Sequence, residues 1–297
     1  MGRDLALAHR TARDVFDEVD EALKQRLFRL MTEGPASDLE LTENAQPALM
    51  AMSLAIMAVL EKDAGLDLER SARFVAGHSL GEYSALTAAK TFSIIDVARL
   101  LKTRGRAMQQ AVPVGEGAMA ALLGADLDQA RALAEAAAGG EVCSPANDNA
   151  PGQVVISGAK SAIERAMAMA RDKGVRKAVM LPVSAPFHCA MMQAAADVME
   201  KALSGITLRR PIVPLIANVT AQPVEDPETV RKLLVEQVTA PVRWRESVLA
   251  MKDGGVAQIV EIGAGKVLTG LAKRIDKELE AISIGTPAEI ESFVKAM

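Results

Sequence analysis

The chemistry in this chain centres on a serine and a histidine. Ser79 is the middle residue of Gly77-His-Ser-Leu-Gly81. It follows a short apolar run, Arg73-Phe-Val-Ala76, and precedes an Ala/Leu-rich segment, Tyr83 to Lys90, of helical composition. A strand, a sharp turn holding G-x-S-x-G and a helix together form a nucleophile elbow. Glycines at 77 and 81 allow the turn and the close packing of helix on strand. Ser79 then stands at a helix N-terminus, where unpaired N–H groups and the helix dipole favour developing negative charge. The bare pattern arises by chance in roughly one chain in ten of this length, so its context carries the weight.

A serine hydroxyl needs a base within hydrogen-bond reach, and the chain offers three histidines: His9, His78 and His188. His9 belongs to an N-terminal amphipathic helix. His78 neighbours the serine, so its side chain points away from that of Ser79. His188 lies in the Pro-flanked loop Pro182-Val-Ser-Ala-Pro-Phe-His-Cys189. Open α/β folds place their sites in loops at the carboxyl ends of strands. By elimination His188 is the base; the bland alternative is a loop histidine bonded to a neighbouring carbonyl.

The elements that must position these groups alternate. Residues 1–30 carry apolar side chains at helical spacing, Leu5, Ala8, Ala12, Val15, Phe16, Val19 and Leu23. After a polar stretch, residues 46–60 are apolar on nearly every side and predict a buried helix, with Pro47 in its first turn. A further helix is expected over Ile94 to Gln110, with Arg99 and Lys102 on a solvated face. Val112-Pro-Val-Gly-Glu-Gly117 breaks the composition. Beyond it, strands at about 118–123, 141–146, 153–157 and 176–183 and helices at 127–138 and 160–173 follow the βαββαβ order of a ferredoxin-like unit. The return segment predicts a helix at 190–204, strands at 212–217, 257–262 and 281–284, and helices between and after them. The expected class is α/β, with a mostly parallel sheet covered on both faces. A large subdomain spans 1–114 and 185–297 and carries a small one at 115–184.

Bulk properties narrow the function. With 297 residues, half of them hydrophobic, the chain can bury a substantial core. A net charge of −4 and few aromatic residues argue against nucleic-acid binding. Cys143 and Cys189 lack metal-ligand spacing and read as reduced thiols. No uninterrupted apolar span and no signal pattern is present, so no membrane attachment and a cytoplasmic location are expected.

Five segments then carry a resemblance: Gly77-His-Ser-Leu-Gly-Glu-Tyr-Ser-Ala-Leu86, Arg104-Gly-Arg-Ala-Met-Gln109, Asn147-Asp-Asn-Ala-Pro-Gly-Gln-Val-Val-Ile-Ser-Gly158, Ser184-Ala-Pro-Phe-His-Cys189 and Glu261-Ile-Gly-Ala-Gly-Lys-Val-Leu268. In that order they resemble the malonyl-CoA:acyl-carrier-protein transacylase family across nearly the whole chain. The resemblance implies an α/β-hydrolase-like large subdomain with a ferredoxin-like insert and a site between them. It implies malonyl transfer from malonyl-CoA to the pantetheine thiol of acyl carrier protein, for fatty-acid synthesis, through a malonyl ester on Ser79 with His188 as base and then acid. Arg104 matches the arginine that grips the malonyl carboxylate, chemistry suited to a planar guanidinium. Gln237 matches the residue whose backbone carbonyl orients the histidine, and the Leu80 N–H an oxyanion donor. Asn147, Asn149 and His78 match residues lining the site, and Phe187 one that crowds an α-methyl branch. Arg176 and Lys177 are candidates for a basic rim facing an acidic carrier protein. No cofactor or metal is implied, malonyl-CoA and CoA being substrate and product, and a monomer is expected.

The chain departs from the family pattern at its start, because Met1-Gly-Arg-Asp-Leu5 matches the helix that follows the family's first strand and its G-Q-G-S-Q loop. Without that strand the sheet is expected to show unpaired edges, and without the loop glutamine a second oxyanion donor is missing, worth about 10²–10³ in rate. The rival readings are a serine thioesterase or esterase and a carrier-protein-binding module of impaired catalysis.

Overall fold

The computed structural model describes residues 1–183 and 185–297. Ser184, the first residue of the Ser184–Cys189 segment and the expected edge of the small subdomain, lies outside the described residues.

The N-terminal apolar stripe is shared among α1 (Arg3–Ala8), α2 (Arg10–Leu23) and α3 (Leu27–Glu33), followed by the short α4 (Ala36–Glu40). The single continuous helix expected over 1–30 is interrupted twice. The backbone is extended at His9 (φ −131°) and left-handed at Lys24 (φ 49°), where the Lys24 N–H closes α2 on Glu21 O. Leu5, Val15, Phe16 and Val19 still bury one face. The apolar helix α5 (Thr42–Lys62) begins earlier than expected, so Pro47 sits beyond the first turn, with no N–H to offer Glu43 O. By length and composition α5 could cross a membrane, but most of it is buried in the core. Next come α6 (Leu68–Ser71), α7 (Leu80–Ala88), directly after Ser79, and α8 (Ile94–Gln110), which packs along α5. Lys102 on α8 is not solvated as expected; its ammonium reaches Asn44 Oδ1 at 2.7 Å and Glu43 at 3.1 Å.

The middle of the chain forms β1 (Gly117–Leu123), α9 (Leu127–Ala138), β2 (Cys143–Ala150), β3 (Gln153–Ala159), α10 (Lys160–Met169) and β4 (Lys177–Met180). The strands lie in the order β2-β3-β1-β4, every pair antiparallel, which is ferredoxin-like. One face buries Leu122 and Ile156 against Leu133 of α9 and Ile163 of α10. β2 is irregular, with register shifts between Pro145 and Asn147 and between Asp148 and Ala150. Such bulges re-aim side chains; here the first lies just before Asn147 and the second holds Asn149 itself.

The return runs through α11 (Gln193–Ser204), β5 (Leu215–Ile216), β6 (Pro223–Val224), α12 (Pro227–Glu236), α13 (Trp244–Asp253), β7 (Gln258–Ile262), α14 (Val267–Ile275), β8 (Glu280–Ile284) and α15 (Pro287–Ala296). The mostly parallel sheet is present only in pieces. β7 and β8 pair in parallel, and the run 73–76 makes a single parallel bridge, Val75 with Leu215. The strand expected at 212–217 shrinks to two residues that also form a hairpin with β6.

Hydrogen bonding explains the gap. Val75 turns both polar groups toward 214–216, so Phe74 and Ala76 direct theirs the other way. Ala257 O and Gly263 N bond toward β8, so the even residues 258, 260 and 262 face away from it. Among the described residues neither segment has a strand on that second edge. Both line one apolar groove of about 800 Å³, with Leu49, Leu54 and Leu80.

Candidate active site

Ser79 occupies a backbone conformation that side chains avoid, φ 53° and ψ −110°, immediately before α7. Such strain persists only where the surroundings over-determine it, and the surroundings here are specific. Gly77 is obligatory, because a Cβ on it would lie 2.0 Å from the Gly81 carbonyl. Gly81 has open space where its own Cβ would point, so only the first glycine of the motif is sterically required. Asn218, fully buried just after β5, clasps the turn from below. Its Oδ1 accepts from the Ser79 N–H at 2.8 Å and its Nδ2 donates to Gly77 O at 2.7 Å. Leu80 is the first residue of α7, so its N–H has no carbonyl within the helix to bond and is available to an anion.

His188 reaches the serine from the loop after β4, also with positive φ, 59°. The Ser79 hydroxyl donates to His188 Nε2 at 2.8 Å, and His188 Nδ1–H donates to Gln237 O at 2.8 Å. The second bond sets the tautomer that leaves Nε2 as the acceptor. Burial, and then the nearby Arg104 charge, push the imidazole down to about 3. The ring is therefore neutral at working pH and able to take a proton.

Arg104 comes from α8 and is 1% exposed. Gly105 beside it lets α8 lie directly on the start of α5, where a Cβ would sit 2.5 Å from Glu43 Cα. The guanidinium donates to Ser79 Oγ at 3.1 Å, Gln46 Oε1 at 2.8 Å and Gln237 Oε1 at 2.9 Å, and lies over the Tyr83 ring. Its Nε is buried without a hydrogen bond. Burial lowers its pKa from the ordinary value, yet a guanidinium stays charged in proteins. A cation thus sits beside the nucleophile with only neutral oxygens as hydrogen-bond partners.

The remaining expected residues divide. Gln237 is buried at the end of α12 and contributes its carbonyl, as expected, together with its side chain, which was not foreseen. His78 turns away from Ser79 as expected. Its Nε2–H donates to Asn149 Oδ1 at 2.9 Å and its ring lies near Trp244, so this pair lines the apolar groove. Asn147 bridges β2 to Val242, shortly after Gln237, and so joins the small subdomain to the site. Phe187 is half-buried before His188, against the core and the 119/146/155 cluster. Arg176 and Lys177 are exposed where β4 begins, at the opposite end of that strand from the segment leading to His188. In the fifth segment the Glu261 carboxylate accepts from the N–H groups of Leu268 and Thr269, holding the start of α14.

Three contributors were missed in the sequence. Gln46 and Asn218 stand out only as amides bordering apolar runs, and Glu82 only as an acid in an otherwise apolar helix. All three are buried.

Residues 1–286 match the acyl transferase domain family. The malonyl CoA-acyl carrier protein transacylase of Escherichia coli strain K12 is 43% identical, the match covering 98% of this chain and 93% of that protein. The chain belongs to this acyltransferase family. Solved relatives agree. An acyl-carrier-protein S-malonyltransferase from Bartonella henselae superposes with a TM-score of 0.97 at 53% identity, covering all of this chain and 94% of that one. A malonyl-transacylase in complex with a type II PKS acyl-carrier protein superposes with a TM-score of 0.96 at 40% identity, covering all of this chain and 95% of that one.

Proposed function

We propose that this acyltransferase moves malonyl groups from malonyl-CoA to the pantetheine thiol of acyl carrier protein, supplying fatty-acid synthesis, by way of a malonyl ester on Ser79. His188 Nε2 takes the hydroxyl proton as Ser79 Oγ attacks the thioester carbonyl. The Leu80 N–H at the head of α7 receives the oxyanion. The protonated imidazole, held by Gln237 O, returns its proton to the departing CoA thiolate. The carrier thiol then enters, gives its proton to His188 and attacks the ester; collapse releases malonyl-carrier protein and restores Ser79.

The observation that carries this reading is the buried Arg104 guanidinium, 3.1 Å from Ser79 Oγ and without a hydrogen-bonded carboxylate. An acyl group ending in a carboxylate supplies one; an acetyl group leaves the charge unpaired, and sites built for a polar group discriminate by about 10⁴ or more. In this reading Phe187, next to His188 in sequence, crowds a branch on the malonyl α-carbon. Arg176 and Lys177 are the weakest of these assignments, since they sit away from the His188 end of β4. The protein acts as a monomer in the cytoplasm and needs no cofactor.

Incubation with malonyl-CoA, with and without holo acyl carrier protein, tests the reading. Malonyl transfer should depend on the carrier and exceed hydrolysis; fast hydrolysis indifferent to the carrier would make the protein a thioesterase instead.

A further inference from the structure

Glu82 has no part in the steps above, yet it lies at the centre of the polar cluster that makes them possible. It follows Ser79 by one turn of α7 and is 1% exposed. Its two oxygens hold two different elements. Oε2 accepts from Gln237 Nε2, and Oε1 from the backbone N–H of Asn218 at 3.3 Å. Gln237 Nε2 also donates to Ser79 O at 3.0 Å.

These contacts fix which way the Gln237 amide faces. A carboxylate only accepts, so the amide nitrogen turns to Glu82 and the oxygen to Arg104. A reversed amide would set oxygen against carboxylate and N–H against guanidinium, losing both bonds. The same residue gives its backbone oxygen to His188 Nδ1, and Asn218 holds the Ser79 N–H and Gly77 O. Both groups that bond Ser79 Oγ, Arg104 and His188, are thus joined to Glu82 through Gln237.

Resting on the malonyl-transfer reading, we propose that Glu82 is a positioning residue: its carboxylate locks Gln237 and Asn218 so that Arg104, His188 and the strained serine turn are presented together. It acts through those residues and does not touch the substrate.

A protonated Glu82 would present an O–H where the geometry requires an acceptor. Burial pushes this carboxyl up to about 7, against the opposing pull of Gln237, Asn218 and the Arg104 charge. The titratable groups facing it are Arg104 from α8 and its helix neighbour Tyr83; α12 and the segment after β5 present the amides of Gln237 and Asn218. Burial and the Arg104 charge hold His188 below its ordinary value, on the acid side of Glu82.

The test is the rate of malonyl-Ser79 formation against pH in the full-length protein and in Glu82→Gln, with folding followed by circular dichroism. The unaltered protein should lose rate as pH falls through about 7 while remaining folded. Glu82→Gln should be slower, by about 10²-fold for a site misplaced on the ångström scale, and should show no such limb. A folded Glu82→Gln that keeps the limb overturns the proposal, because a merely structural glutamate would change the amount of active protein and not the shape of the profile. Should Glu82→Gln not fold, Glu82→Asp stands in: its shorter carboxylate cannot reach both Gln237 Nε2 and the Asn218 N–H, so a folded Glu82→Asp should lose rate, and one that keeps the full rate and profile overturns the proposal. Failure to form any malonyl adduct in the unaltered protein would instead defeat the transfer reading itself.

Discussion

The two sides of Ser79 are built differently. On one side Arg104, His188, Gln237, Glu82 and Asn218 form a buried cluster in which each side chain is bonded to another or to the turn. On the other, beyond Leu80 and Gly81, lies an apolar groove bordered by strand segments whose outer edges meet no strand among the described residues and whose side chains are mostly half-buried. The contrast teaches where the strained φ of Ser79 is supported. Several hydrogen bonds reach the turn from the polar side, whereas the groove side offers open space at Gly81. Chemistry should therefore be sensitive to changes behind the serine, and stability little affected by truncations in the groove.

Substitutions can break that comparison. The largest effect belongs to Ser79→Ala, which removes the ester-forming atom and should cut turnover by about 10⁶-fold, the scale for loss of a nucleophile; steady-state transfer kinetics measure it. Arg104→Ala should come next. It should slow malonyl transfer and erase the preference for malonyl over acetyl, about 10⁴ if the buried polar site discriminates as such sites do. Competing malonyl-CoA and acetyl-CoA reveals the ratio, and an unchanged preference would remove Arg104 from its role. The smallest effects compare packing. Leu86→Ala on α7, fully buried, should cost about 2–5 kcal/mol in denaturant unfolding. Ile259→Ala in the groove wall should cost about 1 kcal/mol, because that side chain already sees solvent. Equal losses would show the groove to be as tightly packed as the opposite side.

The sequence disclosed the chemistry unevenly. Ser79, His188 and Arg104 announced themselves because few residue types can do their work and their neighbours form recognisable segments. The small subdomain was legible almost element by element, since its strands and helices alternate locally and carry Gly and Pro at the joints. The N-terminal stripe was visible but its breaks were not: a left-handed Lys24 has no compositional mark. The parallel sheet was expected whole and is present in fragments, because strand pairing depends on distant partners. Glu82, Gln46 and Asn218 escaped for the same reason. Their importance lies in hydrogen bonds across 58 to 155 positions of chain, which no local pattern records.

The most direct test of the central claim is to weigh the intact protein after incubation with malonyl-CoA. The account predicts a gain of one malonyl group that maps to Ser79, absent from Ser79→Ala and discharged by holo acyl carrier protein. No gain, or a malonyl group on any other residue, would contradict it.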